Sequence, residues 1–520
     1  MKKTLLFLFL LFPLAAAPAA EEVAATNAAA ATGNEATASY RRHPIGRDAT
    51  GATLWAWSGT PTTERSPDLP RIVLLGHPHP EDDPALPAGA EWHGLSAPLD
   101  TAAFPPEGPA FRPQNASAHA IWRWIGLTAP DVVLVPDNAE GRALAKALGE
   151  FPPAEVGRVK VVIRREADDL APDTFLTAPS EADKDSARSE MRARVARSPE
   201  EVHRQLSAHY GDRFGGSYID ALAVIARTGD GRKERAAELA KAQLEKRPEL
   251  PKGGGDIAGT LLYAAIDEPW ARARVLAVAN MAFDEQGNPR EAMPTHNEMS
   301  DAVFMGGPIL AEAGRITGKR KYFDAALTNY RFIADLCLRE DGLYRHSPLD
   351  EAAWGRGNGF PALGLALILL HFPEKHEGRP VLLQAFRDHL AALAPHQDAS
   401  GMWHQIVDRP DSYAEFTSTN MIAWSIAVAL EHGWIEGADW EARLALAWDG
   451  VKRHIGTDGE TLLNVCTGTG KQPNLEAYYQ REAILGRDAR GGAMALMLAS
   501  EMKKRYTELK HAITYPCPSR

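Results

Sequence analysis

Cysteine is scarce. The 520 residues hold three, Cys337, Cys466 and Cys517, an odd number that excludes a disulfide framework and leaves a single Cys466–Cys517 bridge open. Long apolar runs are missing as well. The run from Leu5 to Leu14 is too short to span a bilayer, and nothing after it approaches about 18 consecutive apolar residues, so no membrane anchor is expected. There is no excess of positive charge: 57 Lys+Arg stand against 68 Asp+Glu, a formal net charge of -11 with no long basic run. A phosphate backbone finds no electrostatic support there, and nucleic acid is not an expected partner. What remains is a composition that folds, 45% hydrophobic and 24% charged, with the length of two or three domains or of one small domain beside a large helical one.

The chain starts with Lys2 and Lys3, the apolar run, and small residues at Ala17-Pro18-Ala19. This reads as a secretory signal peptide over residues 1–19, which places the mature protein in the periplasm or outside the cell. Residues 20–40 read as a flexible leader and 41–165 as a small α/β domain. In the latter, Arg71–Leu75, Val132–Val135 and Val159–Ile163 are short β-branched runs, separated by helical periods over Ser117–Ile125 and Glu140–Leu148. The Pro- and Gly-rich stretch between Leu75 and Ser117 reads as loop. Residues 166–199 form a charged linker with a helical run.

From residue 200 to 510 strand signals nearly vanish. Twelve helical periods follow one another with short connections, enough for six helical hairpins that either close into a double toroid or stack as a solenoid. Two of the connections repeat one form, Asp341-Gly342-Leu343-Tyr344-Arg345-His346 and Ser400-Gly401-Met402-Trp403-His404-Gln405. In a toroid such loops would line one mouth with aromatic and polar side chains, Trp403 among them, a surface suited to a sugar.

Three stretches carry chemistry. In Trp354-Gly-Arg-Gly-Asn-Gly-Phe360 the glycines are a poor choice for a helix start unless something must approach closely. Trp354 there supplies a flat face, Arg356 a bidentate grip on a carboxylate, and Asn358 a donor or a cap; the plain alternative is a tight turn with an ordinary ion pair. Asp301 opens an apolar helix with Met305 one turn on, and Gly306-Gly307-Pro308 should kink that helix. Read alone, Ser300 or Asp301 is a helix cap. Asp256 follows three glycines at another helix start; it is either a cap or, at the same mouth as Asp301, the second carboxylate that acid/base chemistry on sugars requires.

These residues resemble the unsaturated uronyl hydrolases of glycoside hydrolase families 88 and 105, most closely the unsaturated rhamnogalacturonyl hydrolases. The likeness covers Asp256 to Glu501 and rests on five stretches in order: SDAVFMGGPILAEAGRITGKRKYFDAA from Ser300, DGLYRHS from Asp341, WGRGNGF from Trp354, GMWHQIVDRPDSYAEFTST from Gly401 and NVCTGTG from Asn464. It implies an (α/α)6 barrel, preceded here by a small α/β domain. It also implies Asp301 as general acid/base, Asp256 as second carboxylate, His346, Trp354 and Arg356 as contacts to the uronate, Met305 beside the acid, and no metal or organic cofactor. The substrate it implies is an oligosaccharide ending in an unsaturated uronate. Just before Asp301 the chain departs from the usual pattern, with Glu298-Met299-Ser300 in place of a Trp and a second acidic residue, which bears on substrate preference.

Rival readings stay open on the residues. His77-Pro78-His79-Pro80-Glu81-Asp82-Asp83 after a strand could serve a metal-dependent hydrolase, with the helical part as a carbohydrate-binding platform. The barrel could instead cleave saturated uronides, or be a non-catalytic sugar-binding scaffold. His296 and His404 read as loop or rim residues.

Overall fold

The computed structural model describes residues 39–60, 69–76, 86–87, 89–96, 103–165, 170–176, 184–295 and 297–514, with side chains up to residue 507. The signal peptide and most of the leader, His77 and His79, His296 and Cys517 lie outside the described residues, so the expectations placed on them are not addressed by the structure.

The N-terminal part is built on one sheet of six strands: β1 (Ser39–Arg47), β2 (Thr53–Thr60), β3 (Arg71–Leu75), β4 (Glu91–Leu95), β5 (Val132–Pro136) and β6 (Lys160–Arg164). Their order is β1-β2-β4-β3-β5-β6, with β1, β2 and β4 joined antiparallel and β4, β3, β5 and β6 parallel. Ile72, Val73 and Leu74 of β3 and Val132 to Val135 of β5 are buried, as central parallel strands must be. Helices α1 (Ala116–Thr128) and α2 (Ala139–Glu150) complete the unit; α2 starts where the Asn138 side chain accepts from Gly141 N at 2.7 Å. Strand β4 corrects the reading of residues between Leu75 and Ser117 as loop. Its Glu91 and His93 break the apolar run that marks a buried strand, yet they share one face at i and i+2 and bond each other at 3.0 Å.

The linker is a clamp of buried cations. Helix α3 (Ala187–Ala196) carries Arg194, which donates to the carbonyls of Glu155 and Arg453 at 3.1 and 3.0 Å, tying the sheet domain to the helical one. Arg197 adds bonds to the Lys452, Ile455 and Gly456 carbonyls.

Twelve helices follow. They are α4 (Pro199–His209), α5 (Tyr218–Ile225), α6 (Lys233–Lys246), α7 (Gly254–Gly259 continued by Leu261–Ile266), α8 (Pro269–Ala279), α9 (Ala302–Met305 continued by Gly307–Thr317), α10 (Arg320–Cys337), α11 (Gly355–His371), α12 (Arg379–Leu393), α13 (Phe416–Glu431), α14 (Ala438–Arg453) and α15 (Ala489–Thr514). Packing settles toroid against solenoid. Helices α5, α7, α9, α11, α13 and α15 each touch the next, and α15 returns to α5, so the inner ring closes. The other six pack outside, α4 on α15, α6 and α8 on α7, α10 on α9, α12 on α11, and α14 on α13. This is an (α/α)6 barrel. Inner helices α11 and α13 are apolar all round and almost wholly buried, whereas the outer α10 has an exposed polar side. Helix α9 breaks at Gly306, φ −120° and ψ −37°, where Pro308 cannot donate.

Candidate active site

The two repeated connections use the same turn. Gly342 and Gly401 sit at φ 81° and 91°, backbone that favours glycine, and the aromatic residue that follows, Tyr344 or Trp403, is buried. The turns deliver His346 and Gln405 to opposite ends of one residue, Tyr478: His346 Nδ1 is 2.9 Å from its hydroxyl, and Gln405 Nε2 donates to its carbonyl at 3.4 Å. Tyr478 belongs to the short helix Leu475–Tyr479. Burial pushes its hydroxyl up to about 12, so it stays an O–H donor. The other ring nitrogen of His346, Nε2, lies 3.5 Å from Asp301 Oδ1.

Asp301 is only 5% exposed and stands at the N-terminal end of α9, yet its carboxylate caps nothing. The cap reading fails for both candidates, because the Ser300 hydroxyl, also buried, has no hydrogen-bond partner. Burial raises Asp301 to about 7, and the Arg356 guanidinium pulls in the opposite direction without cancelling it. At neutral pH a substantial fraction of this carboxyl is therefore protonated.

Arg356 enters from the first turn of α11. Its Nη1 donates to Thr417 Oγ1 at 3.2 Å and to the Cys466 carbonyl at 2.9 Å, its Nη2 donates to the Thr467 carbonyl at 2.8 Å, and the group lies 4.7 Å from the centre of the Trp354 ring. The three glycines expected to make room do so: a Cβ on Gly355 would come within 2.6 Å of the His404 carbonyl, and one on Gly357 within 3.1 Å of Ser300 Oγ. His346 packs 4.4 Å from Trp354. Four buried atoms with no hydrogen bond, Ser300 Oγ, Asp301 Oδ1, Trp354 Nε1 and Gln405 Oε1, belong to this group of neighbours. Such a concentration of unmet donors and acceptors marks a place suited to a polar group.

The structure therefore brings Asp301, His346, Trp354 and Arg356 together. Other expected residues stand elsewhere. Asn358 is neither an N-cap nor a free donor, since its amide accepts from Tyr344 N and donates to the Tyr344 and Trp354 carbonyls, pinning the His346 turn. Trp403 is wholly buried and its indole N–H donates to the Leu393 carbonyl at 2.8 Å. Met305 lies in the barrel core, its N–H bonded to the Asp301 carbonyl. Asp256 is exposed on the first turn of α7, which packs against α9, and it lines an open cleft with Lys252, Arg247 and Arg274. His404 is a buried structural group bonded to Asp398 at 3.0 Å.

Several residues at the site went unnoticed in the sequence. Tyr218 feels the charges of Arg356, Arg490 and Asp301, and Arg490 donates to the same Cys466 carbonyl as Arg356. Two short strands, β7 (Trp403–His404) and β8 (Ala414–Glu415), pair ahead of α13; Glu415 of β8 accepts from Thr417 N and Ser418 N at the start of α13 and from Cys466 N, fixing β9 (Leu462–Cys466) to the barrel. Cys466 is buried with its thiol free. No local pattern marks these residues; the Tyr-Tyr pair at 478–479 and the repeat partner Gln405 were the available signals. Among the described residues no cluster of three His, Cys, Asp or Glu is placed to hold a metal ion.

The sequence profile of Glycosyl Hydrolase Family 88 matches residues 257–506, the stretch from α7 to α15 that carries Asp301, His346 and Arg356. Over these residues the helical region resembles Glycosyl Hydrolase Family 88. Over 256 residues, 48% of this chain, it is 28% identical to the unsaturated rhamnogalacturonyl hydrolase YesR of Bacillus subtilis (strain 168), of which the match covers 64%. It is 24% identical over 215 residues to the unsaturated 3S-rhamnoglycuronyl hydrolase of Alteromonas sp. (strain LOR), covering 39% of this chain and 50% of that one. The chain thus spans less than two thirds of the length of these curated relatives. Among solved structures, a possible member of the GH105 family from Klebsiella pneumoniae superposes with a TM-score of 0.50 at 23% identity, over 65% of this chain and 97% of that one. That likeness bears on the fold, and it agrees with the closed ring of inner helices.

Proposed function

We propose that the protein is a glycoside hydrolase that removes a 4,5-unsaturated uronic acid from the non-reducing end of lyase-generated oligosaccharides. The observation that carries this reading is Asp301: a buried carboxyl, free of any capping duty, raised to about 7 beside a guanidinium. The substrate's C4=C5 bond is a vinyl ether through the ring oxygen, conjugated with the C5 carboxylate. Protonation at C4 puts positive charge on C5 and the ring oxygen. Water adds at C5, and the resulting hemiketal opens and expels the neighbouring sugar without attack at C1. Carbon accepts protons slowly, so the acid must hold its proton near neutral pH, which the burial of Asp301 provides. Once deprotonated, the same carboxylate can orient the water.

Arg356 pairs with the substrate carboxylate and is aimed by three protein acceptors. Its guanidinium covers one face of Trp354, so the tryptophan serves the sugar through its unmet indole N–H as well as its remaining surface. His346 Nε2 faces the acid at 3.5 Å. Asp256, exposed on α7 in the cleft with Lys252 and Arg274, is not what raises Asp301, which burial does. We further propose export through the N-terminal signal peptide, to the compartment where polysaccharide lyases release such products. The test is incubation with unsaturated oligosaccharides from pectin and from glycosaminoglycans, following the alkene's ultraviolet absorbance, with saturated uronides and excess chelator as paired controls. Loss of absorbance that survives chelator supports the reading; cleavage only of saturated uronides, or activity abolished by chelator, overturns it.

A further inference from the structure

The sheet domain is packed against the mouth of the barrel where Asp301 lies. Leu54, Ala110, Phe111 and Ala120 share one apolar cluster with Trp354, Ile406, Cys466 and Tyr478 of the barrel, and Phe111 stacks on Tyr413 with ring centres 4.6 Å apart. Through this wall passes one ion. Arg123, on α1 of the sheet domain, is 4% exposed, and its close neighbours are the Tyr413 hydroxyl, the His119 imidazole and the face of Phe111, 5.5 Å from the guanidinium carbon, rather than a carboxylate. A buried cation without a counter-ion is costly and persists where its hydrogen bonds serve a purpose.

Those bonds end on one hairpin. Arg123 Nη1 donates to Asn464 Oδ1 at 2.6 Å and Nη2 to the Ala483 carbonyl at 2.8 Å. Asn464 is on β9 with φ 58°, a left-handed conformation that a non-glycine residue holds only when its surroundings enforce it. Ala483 begins β10 (Ala483–Gly486) and lies opposite Cys466 in the register. The Cys466 carbonyl and the next one, Thr467, are the acceptors that aim Arg356. The guanidinium of one domain therefore grips both strands of the hairpin at the point where the hairpin grips the guanidinium of the other.

We propose that the N-terminal domain is a working part of the catalytic site, with Arg123 as the positioning residue that sets the β9–β10 hairpin and, through the Cys466 and Thr467 carbonyls, the place of Arg356. The proposal rests on the hydrolase reading for its kinetic consequence and not for its structural one. When the hairpin relaxes, Arg356 withdraws from the substrate carboxylate and from Asp301. The groups around Asp301 are Arg356 on α11, His346 after α10, Tyr218 on α5, Tyr478 on the short helix and Cys337 on α10. Of these Arg356 is the cation, and it opposes the rise caused by burial. Its withdrawal lets Asp301 climb further, and the alkaline limb of kcat/KM moves to higher pH.

The test uses the full chain with Arg123→Met, and Asn464→Gly to remove the acceptor from the other side while keeping a residue that tolerates the left-handed backbone. Each should raise KM for an unsaturated oligosaccharide by about tenfold or more, as expected for a misplaced binding group, and shift the alkaline limb upward. The double variant should add little to either single one. Amide hydrogen exchange over residues 462–467 should quicken in both variants, a readout that stands whether or not the hydrolase reading does. Unchanged exchange in that hairpin, or unchanged KM and pH limb in the folded variants of an active enzyme, overturns the proposal. A wild-type protein that leaves every unsaturated substrate intact, with quickened exchange in the variants, overturns the hydrolase reading and supports the coupling of hairpin to domain.

Discussion

Asp301 in the barrel and Arg123 in the sheet domain are both deeply buried ionisable groups, and their surroundings treat them in opposite ways. Arg123 is lowered to about 10 by burial, still far above neutrality, and has two protein acceptors in place. It remains charged and bound. Asp301 is raised to about 7, one of its oxygens has no hydrogen bond, and three further polar atoms around it are equally unmet. It hovers between two protonation states among polar atoms that lack partners. The difference separates an ion that holds a structure in place from one that does chemistry: both Nη atoms of the first are bound by protein acceptors, with Nε alone unmet, whereas the second sits in a group of unmet donors and acceptors.

The largest effect that could break this comparison is at the acid itself. Asp301→Asn keeps the shape and removes the transferable proton, and kcat should fall by about a thousandfold or more, while binding of the unsaturated substrate persists. Next is Arg356→Lys, which keeps the charge and loses the planar fork; kcat/KM should drop by about a hundredfold, mostly in KM, as measured on the same substrate. Phe111→Ala in the sheet domain empties a stacked position against Tyr413 and should lower stability by about 3 kcal/mol in denaturant titration. Asn358→Ala sharpens the line between structure and contact: leaving the Tyr344 N–H and its carbonyl unmet should cost about 2 kcal/mol of stability, with KM of the folded fraction little changed. A change in KM without loss of stability would make Asn358 a substrate contact after all.

A further effect lies in the pH dependence of stability. Asp301 keeps its proton in the folded state up to about 7 but loses it near the ordinary carboxylate value when unfolded. Between those values the folded state binds more protons, so stability falls as pH rises through that window and levels off above it. Relative to wild type, Asp301→Asn should therefore gain stability from about pH 4 to about pH 7. A flat difference across that range would mean that the carboxyl is not shifted.

Much of the barrel was readable because its helices repeat a 3.6-residue apolar period between short connections, and every one of the twelve has a counterpart in the structure. Closure was not readable, since the contact of α15 with α5 joins elements more than 250 residues apart in sequence. Arg356 and its glycines could be singled out because glycine at a helix start is costly without a close neighbour, and the neighbours proved to be the His404 carbonyl and Ser300. Trp403 misleads in the same repeat that presents His346: the turn is shared, but position four of it points into the core at the Leu393 carbonyl and position six reaches the Tyr478 hydroxyl beside Asp301. Tyr218, Glu415 and Arg490 carry no local signature, because their roles come from convergence of α5, α13 and α15. Strand β4 was hidden by its Glu91–His93 pair, which looks like loop chemistry until the two are seen on one face of a sheet.

The most direct measurement is the ultraviolet absorbance of the conjugated alkene during incubation of purified protein with a lyase-generated unsaturated oligosaccharide, alongside Asp301→Asn. The account predicts that the absorbance disappears with the wild-type protein, as a buried acid protonates C4, and persists with the variant. Absorbance that persists with the wild type across pectin-derived and glycosaminoglycan-derived substrates, or that disappears equally fast with Asp301→Asn, would contradict it.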